Sequence, residues 1–349
     1  MSTQQKDIFI PPPKKSFTIE TMSKHKDVMK NMEGFVEENL GLLKEVSESW
    51  QPSDILPNMV TDGWHDKIQQ LRDQARGVPD EVFIVLIGNT VTEEALPAYQ
   101  TMLNRHPGLQ DDTGISDNPW ARWTRGWTAE ENRHGEILSR YLYLSGRVDM
   151  HAFEVTTQHL LRNGFDPKTG NDPYRGMIYT SFQERATKIS HGNTARLANE
   201  NGDPTLGSIC ALVTGDESRH EEAYKRFAGR LIEQDPAEGV MAFAQMMKNT
   251  ITMPARQMDD GQTPDLYAQF ALVAQRIGVY TIQDYADIIE YLVGCWKIAD
   301  FSGLTGDAAK AQDYLGGLAQ RYRGLADRAE GKHPEKAKMS FPWIFNRPV

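Results

Sequence analysis

The sequence predicts an all-α protein with a four-helix bundle core and additional helices. Three observations carry that prediction. No stretch shows the period-two alternation of a half-buried strand, whereas helix start and stop signals recur along the chain. Two Glu-x-x-His tetrads, Glu131-Asn132-Arg133-His134 and Glu217-Ser218-Arg219-His220, lie inside long amphipathic helical patterns. Each is preceded, about one helix upstream, by another helical glutamate.

The elements follow in order. Residues 82–104 form a long apolar stretch holding Glu93 and Glu94. Pro97 inside it removes a backbone donor, so a kink is predicted just after those carboxylates. Asp117 with Pro119 opens the next helix, which runs through Glu131 and His134 and stops near Gly146. A third helix is predicted over 174–199 and holds Glu184. Asp203-Pro204 opens a fourth, which carries Glu217 and His220 and ends before Asp235-Pro236. Further helices are predicted over 236–252, 264–277, 281–298 and 308–329. Residues 1–17, with Pro11-Pro12-Pro13-Lys14-Lys15 and no signal-peptide hydrophobic core, read as a flexible N-terminal arm. Residues 18–349 read as one domain.

Composition narrows the function. A net charge of −10 argues against nucleic-acid binding, and no apolar run is long enough to cross a bilayer. Cys210 and Cys295, both in apolar helical contexts, read as buried thiols.

Three residues along a helix turn the chain by about 300°, so Glu and His of each tetrad project from one face and can grip one metal ion. A third tetrad, Glu330-Gly331-Lys332-His333, runs through glycine into Pro334 and is discounted. Glu93 precedes Glu131 by 38 residues, and Glu184 precedes Glu217 by 33, which is an internal duplication. Two such hairpins would bury Glu93, Glu131, His134, Glu184, Glu217 and His220 around two irons or manganeses, the ferritin-like arrangement. Spacing favours Glu131 over Glu130 but leaves Glu93 and Glu94 open.

Several stretches resemble the soluble plant-type acyl-acyl carrier protein desaturases, the stearoyl-acyl carrier protein desaturase family. They include Thr92-Glu93-Glu94-Ala95-Leu96-Pro97, Trp127-Thr128-Ala129-Glu130-Glu131-Asn132-Arg133-His134-Gly135, Phe182-Gln183-Glu184-Arg185-Ala186-Thr187, His191-Gly192-Asn193 and Asp216-Glu217. The resemblance runs from about Phe17 to the C-terminus. It implies two iron ions held by the same six residues, and it selects Glu93 over Glu94. The implied reaction is O2-dependent insertion of a cis double bond into a saturated chain on acyl carrier protein, stearoyl to oleoyl, with electrons from ferredoxin. A homodimer in the plastid stroma is implied as well, any transit peptide being absent from this sequence.

Residue roles carried by the resemblance are expectations of the same kind. Trp50 and Asp216, with His134, would form a hydrogen-bonded route from the surface to iron, and Thr187 would lie beside the oxygen-binding face. Met102, Pro167, Thr169, Gly176 and Met177 would line the acyl tunnel. Lys44 and Arg219 would receive the acidic carrier protein. The chain departs from the family pattern at Arg105-His106 near the tunnel's far end, where a charged side chain would either shorten the tunnel or turn outwards. A ferritin-type iron-oxidising or iron-binding protein is the rival reading, since its four ligand helices could be the same.

Overall fold

Local signals place the four long helices. The computed structural model describes residues 19–330 and 339–349; the arm expected over 1–17 and the discounted tetrad at His333 lie outside the described residues. The helices are α1 Ile19–Asn31, α2 Glu33–Asn39, α3 Pro52–Ile55, α4 Trp64–Gly77, α5 Asp80–Glu94, α6 Leu96–Asn104, α7 Pro119–Ser145 and α8 Met150–Asn163. They continue as α9 Pro173–Glu200, α10 Pro204–Gln234, α11 Pro236–Lys248, α12 Leu266–Arg276, α13 Ile282–Cys295, α14 Gly306–Gly316 and α15 Leu318–Glu330. Among the described residues there is no strand, only an isolated bridge between Ser340 and Pro348.

Three ligand-bearing helices open the same way. The side chains of Asn118, Asp172 and Asp203 accept from the backbone N–H groups of Trp120, Tyr174 and Leu206, and proline follows each cap. Such a cap contributes about 1 kcal/mol, and proline at the first helical position costs no hydrogen bond. The cap of α7 is Asn118 rather than Asp117. Pro97 acts as expected: α5 stops at Glu94, Ala95 leaves helical geometry, and α6 begins at Leu96. The stretch over 308–329 is likewise two helices, parted at Gly317. Helices α1, α2, α3, α4 and α8 add to the expected set.

Packing divides the core into two apolar halves with a polar layer between them. On α7, Trp120, Trp123 and Trp127 belong to one half, and Ile137, Leu138, Tyr141 and Leu142 to the other. On α10 the order reverses, with Leu206 to Val213 in the second half and Ala223 to Ile232 in the first. Helix α9 runs like α7, while α5 followed by α6 runs like α10. Two antiparallel hairpins, α5/α7 and α9/α10, are thus joined by a long crossover that contains α8, a four-helix arrangement of the ferritin-like kind. Both Glu-x-x-His tetrads fall where their helices cross the polar layer. At Gly135 α7 packs directly on α5, where a Cβ would stand in ordinary contact, 3.4 Å from the backbone at Glu93 and Glu94.

The structure corrects one reading of the sequence. Cys210 is buried, but Cys295 is exposed. The apolar stripe of α13 is Ile288, Ile289 and Leu292, and Cys295 lies beside that stripe, on the exposed side of the last turn.

Candidate metal centre

Glu93 from α5, Glu131 and His134 from α7, Glu184 from α9, and Glu217 and His220 from α10 meet in the polar layer, all buried. Their ligand atoms form two groups, each spanning no more than 4.8 Å: Glu93, Glu131, His134 and Glu217, and then Glu131, Glu184, Glu217 and His220. Glu131 and Glu217 belong to both and so occupy bridging positions. Each end keeps one outer carboxylate and one imidazole. His134 Nδ1 lies 3.2 Å from Glu131 and 3.3 Å from Glu217, and His220 Nδ1 lies 2.7 Å from Glu131 and 3.6 Å from Glu184.

These atoms are placed for metal rather than for one another. Nδ1 of both histidines, Oε1 of Glu131 and Oε2 of Glu184 are buried and make no properly oriented hydrogen bond among the described residues. Burial raises Glu93 and Glu184 above the ordinary carboxylate range, Glu184 well above it, and neighbouring carboxylate charges push the same way. Burial works against charge on His134 too, yet the Glu131 carboxylate lifts its pKa well above the usual imidazole value. Four carboxylates in a space this small are strained by their own repulsion. Two divalent cations would neutralise them and give the orphaned atoms partners. The donor set of two imidazoles and four carboxylates fits a two-metal centre of transition-metal type.

The surrounding residues show why both imidazoles turn Nδ1 inward. Asp216, just before Glu217, faces His134 Nε2 at 3.4 Å, and Glu130, just before Glu131, faces His220 Nε2 at 3.0 Å. Each tetrad's preceding acid therefore backs the other tetrad's histidine. An N–H donated outward leaves the opposite nitrogen as a metal-facing lone pair. Burial alone would raise Asp216, but its hydrogen bonds to His134 and Arg219 hold it well below the usual range.

Arg219 donates to Asp216 at 2.7 Å, to the Leu42 carbonyl at 3.0 Å, and also to Glu130. Arg133 donates to Asp216 at 3.1 Å. Trp50 Nε1 donates to Asp216 at 3.0 Å, and its ring lies 6.2 Å from that of His134 at an interplanar angle of 11°. Trp50, Asp216 and His134 are thus in direct sequence of contact. Thr187 Oγ1 lies 2.8 Å from Glu217 Oε2 and 3.0 Å from the Gln183 carbonyl, so the helix-threonine contact and the site contact coexist.

Of three further supporting residues, sequence reasoning missed Glu130 and His191 and left Trp127 evenly balanced between support and packing. Glu130 was weighed only as a rival ligand, although the acid-Glu-x-Arg-His pattern common to both tetrads was available as a signal. Trp127 donates from Nε1 to Glu184 at 3.1 Å, and His191 Nε2 lies 2.9 Å from Glu93 Oε1.

A family model described as fatty acid desaturase matches residues 24–345. The chain belongs to the fatty acid desaturase family. An acyl-[acyl-carrier-protein] desaturase, chloroplastic, of Cucumis sativus is 54% identical over 324 residues, which cover 93% of this chain and 82% of that protein. A stearoyl-[acyl-carrier-protein] 9-desaturase, chloroplastic, of Brassica napus is also 54% identical, with 93% and 81% covered. Among solved structures, the X-ray structure of DesA2 from Mycobacterium tuberculosis H37Rv shares the fold, with a TM-score of 0.50 at 18% identity over 79% of this chain and 97% of that one.

Two cavities of this desaturase adjoin at Glu93. The first is walled by Leu96, Tyr99, Met102, Leu103, Phe165 and Tyr179 and reaches all four carboxylates. The second includes Asn89, Ser190, His191, Phe270 and Tyr280 and touches the ligand set at Glu93. Thr92, Glu93, Gln183, Thr187 and Pro254 border both. Of the residues expected along an acyl tunnel, Met102 lines the first cavity. Pro167 and Met177 are buried nearby in sequence to Thr169 and Gly176, which flank His106. His106 Nε2 lies 3.3 Å from Thr169 Oγ1, and a Cβ at Gly176 would come within 3.1 Å of the imidazole. Arg105 is exposed and turns outward, whereas His106 is fully buried just beyond Leu103. Lys44 is exposed, and its backbone N–H donates to Glu130 at 2.7 Å.

Proposed function

We propose that this desaturase removes two hydrogens from a saturated fatty acyl chain carried on acyl carrier protein, leaving a cis double bond. The supporting observation is a largely apolar cavity that reaches all four carboxylates of a six-residue, two-metal ligand set. An unactivated C–H bond offers no acidic proton, so acid–base side chains cannot break it; two iron ions held by Glu93, Glu131, His134, Glu184, Glu217 and His220 would supply the O2-dependent oxidising chemistry. The protein holds one carbon pair within reach and keeps water away.

The apolar walls of the first cavity suit the hydrocarbon, with His106 beyond Leu103 limiting its depth. Thr187 keeps Glu217 oriented on the cavity side. Trp50, half-buried and bonded to Asp216 behind His134, is the path for electrons from reduced ferredoxin. Lys44 offers an exposed positive charge to the acidic carrier protein, and Arg219 keeps part of its guanidinium accessible while bonded to Asp216 and Glu130. A plastid location accords with the chloroplastic relatives, and a homodimer in the stroma rests on the family resemblance alone.

The test is product analysis with reduced ferredoxin, O2 and saturated acyl carrier protein thioesters from twelve to eighteen carbons, on the order of a typical acyl series. One cis-monoene series, with stearoyl to oleoyl as the first conversion to examine, supports the reading. Iron-loaded, reducible protein that yields no monoene from any chain length refutes it. Iron oxidation without acyl chemistry would instead support the ferritin-type alternative, which has no use for two cavities at the ligands.

A further inference from the structure

Each end of the metal site has an indole near it, and the two indoles are not equivalent. Trp50 donates from Nε1 to Asp216 at 3.0 Å, and Asp216 in turn faces His134. Arg133 stands over the Trp50 ring, its guanidinium carbon 5.0 Å from the centroid. A fixed positive charge there makes an electron harder to draw from that ring. Trp127 donates from Nε1 at 3.1 Å to Glu184, which is itself a ligand, and its ring lines the first cavity. The carboxylate has the opposite effect, because negative charge against the indole N–H stabilises a ring that has lost an electron.

The other oxidisable rings around the site lack this support. Tyr99 and Tyr179 line the same cavity, but their hydroxyls donate to the carbonyls of Thr92 and Thr252, both at 2.8 Å. Burial pushes both phenols well above their usual range, and a phenol is hard to oxidise while it keeps its proton. Tyr224 packs edge-to-face on Trp127 and on Trp123, with ring centroids 6.1 Å and 5.7 Å apart. Among the described residues, neither the Tyr224 hydroxyl nor Trp123 Nε1 donates to a carboxylate.

We propose that Trp127 is a protective electron donor to the metal pair, used when O2 has oxidised the pair and no acyl chain fills the first cavity. One electron passes from the indole to the pair, which is reduced by one, and the ring becomes a radical cation. No bond breaks in that step, and the Nε1 proton stays in the hydrogen bond to Glu184. The ring recovers its electron from the one-electron reductant that feeds the pair. Where that reductant is exhausted, a second electron follows, water adds to the ring and two protons leave, which yields a hydroxytryptophan. Two electrons from the reduced pair and two from the ring then account for the reduction of one O2 to water. An acyl chain in the cavity is oxidised in the indole's place. This rests on the reading of the chain as an O2-dependent desaturase with two irons.

The test uses the full chain, loaded with iron, reduced with dithionite and mixed with O2 in the absence of any acyl carrier. Samples frozen during O2 uptake are examined by electron paramagnetic resonance, and samples digested afterwards are mapped by peptide mass spectrometry. Expected are a tryptophan radical, identified by its narrowed lines when the protein carries ring-deuterated tryptophan, and oxygen addition at Trp127. Both should be lost when stearoyl-acyl carrier protein is present and lost in Trp127→Phe, whereas Trp123→Phe should keep them. Deuteration changes no contact, so the labelled wild type with its peptide map decides the matter even if Trp127→Phe fails to hold iron. The proposal is overturned, with the metal reading intact, by iron-loaded protein that takes up no O2 without an acyl chain or takes it up with no tryptophan radical. Oxygen on Met102 or Trp50 instead of Trp127, or equal yields with stearoyl-acyl carrier protein, overturns it as well. A wild type that holds no iron pair overturns the metal reading instead.

Discussion

His106 makes stability depend on pH in a way a single substitution can isolate. The imidazole is fully buried at the end of α6, with the Leu103 carbonyl and the Thr169 hydroxyl near its nitrogens. Burial pushes its pKa down to about 4, and the nearby Arg105 charge works in the same direction against the opposing pull of Asp172. In the unfolded chain a histidine titrates near 6.5. The folded pKa is the lower of the two, so between those values the unfolded state binds more protons and stability falls as pH falls. At pH 5 the unfolded side chain is almost fully protonated and the folded one about a tenth protonated, a difference of about 2 kcal/mol relative to pH 7. Leucine is close in volume and cannot titrate, so His106→Leu should lose about 2 kcal/mol less between pH 7 and pH 5 than the wild type does. Urea unfolding of both metal-loaded proteins at the two pH values measures this double difference, in which every other titrating group cancels. Equal losses in the two proteins would refute the assignment of a buried, neutral His106.

The metal ligands and the thiols give three more tests. Glu131→Gln and Glu217→Gln each weaken a residue shared by both ligand groups, so iron content measured by elemental analysis should fall well below two per chain and monoene formation should be lost; full iron content in either variant would contradict bridging. Asp216→Asn keeps the shape of the partner behind His134 but removes its charge, and such losses typically weaken metal binding about 10- to 100-fold; competition with a chelator measures it, and unchanged affinity would count against the hydrogen-bonded support. Native protein should react with one equivalent of a thiol reagent, at exposed Cys295, and take up a second only on unfolding, because Cys210 is buried and burial pushes its thiol pKa up.

What the sequence disclosed and what it concealed differ by the distance over which each signal acts. The ligand frame is local: helix periodicity places Glu131 with His134 and Glu217 with His220, and capping chemistry at Asp203-Pro204 fixes where the last of those helices begins. Glu130 is different, because its partner His220 is 90 residues away and only comparison of the two tetrads, each with an acid before its Glu, sets it apart from a solvated glutamate. His191 pairs with Glu93 across 98 residues and is equally silent in a linear reading. Helix α4 carries a thin apolar stripe at helical spacing, Trp64, Ile68, Leu71 and Ala75, but only Leu71 and Ala75 of it are buried, so its place in the core is not evident from the pattern. The far end of the first cavity resisted for another reason: whether Arg105 or His106 turns inward depends on the space left by Gly176, which belongs to α9 rather than to α6.

The duplication explains why there are two metal positions, and its breaking explains why they need not behave alike. Ligands and backing acids obey the repeat, so each position receives one outer carboxylate, one imidazole and two shared carboxylates. The surroundings do not. Only His134 has an indole stacked beside it and bonded to its acid, and only Glu93 is tied to an imidazole that borders a cavity. Trp50, through Asp216, thus stands behind the His134 end of the ligand set, which is also the end that Glu93 completes.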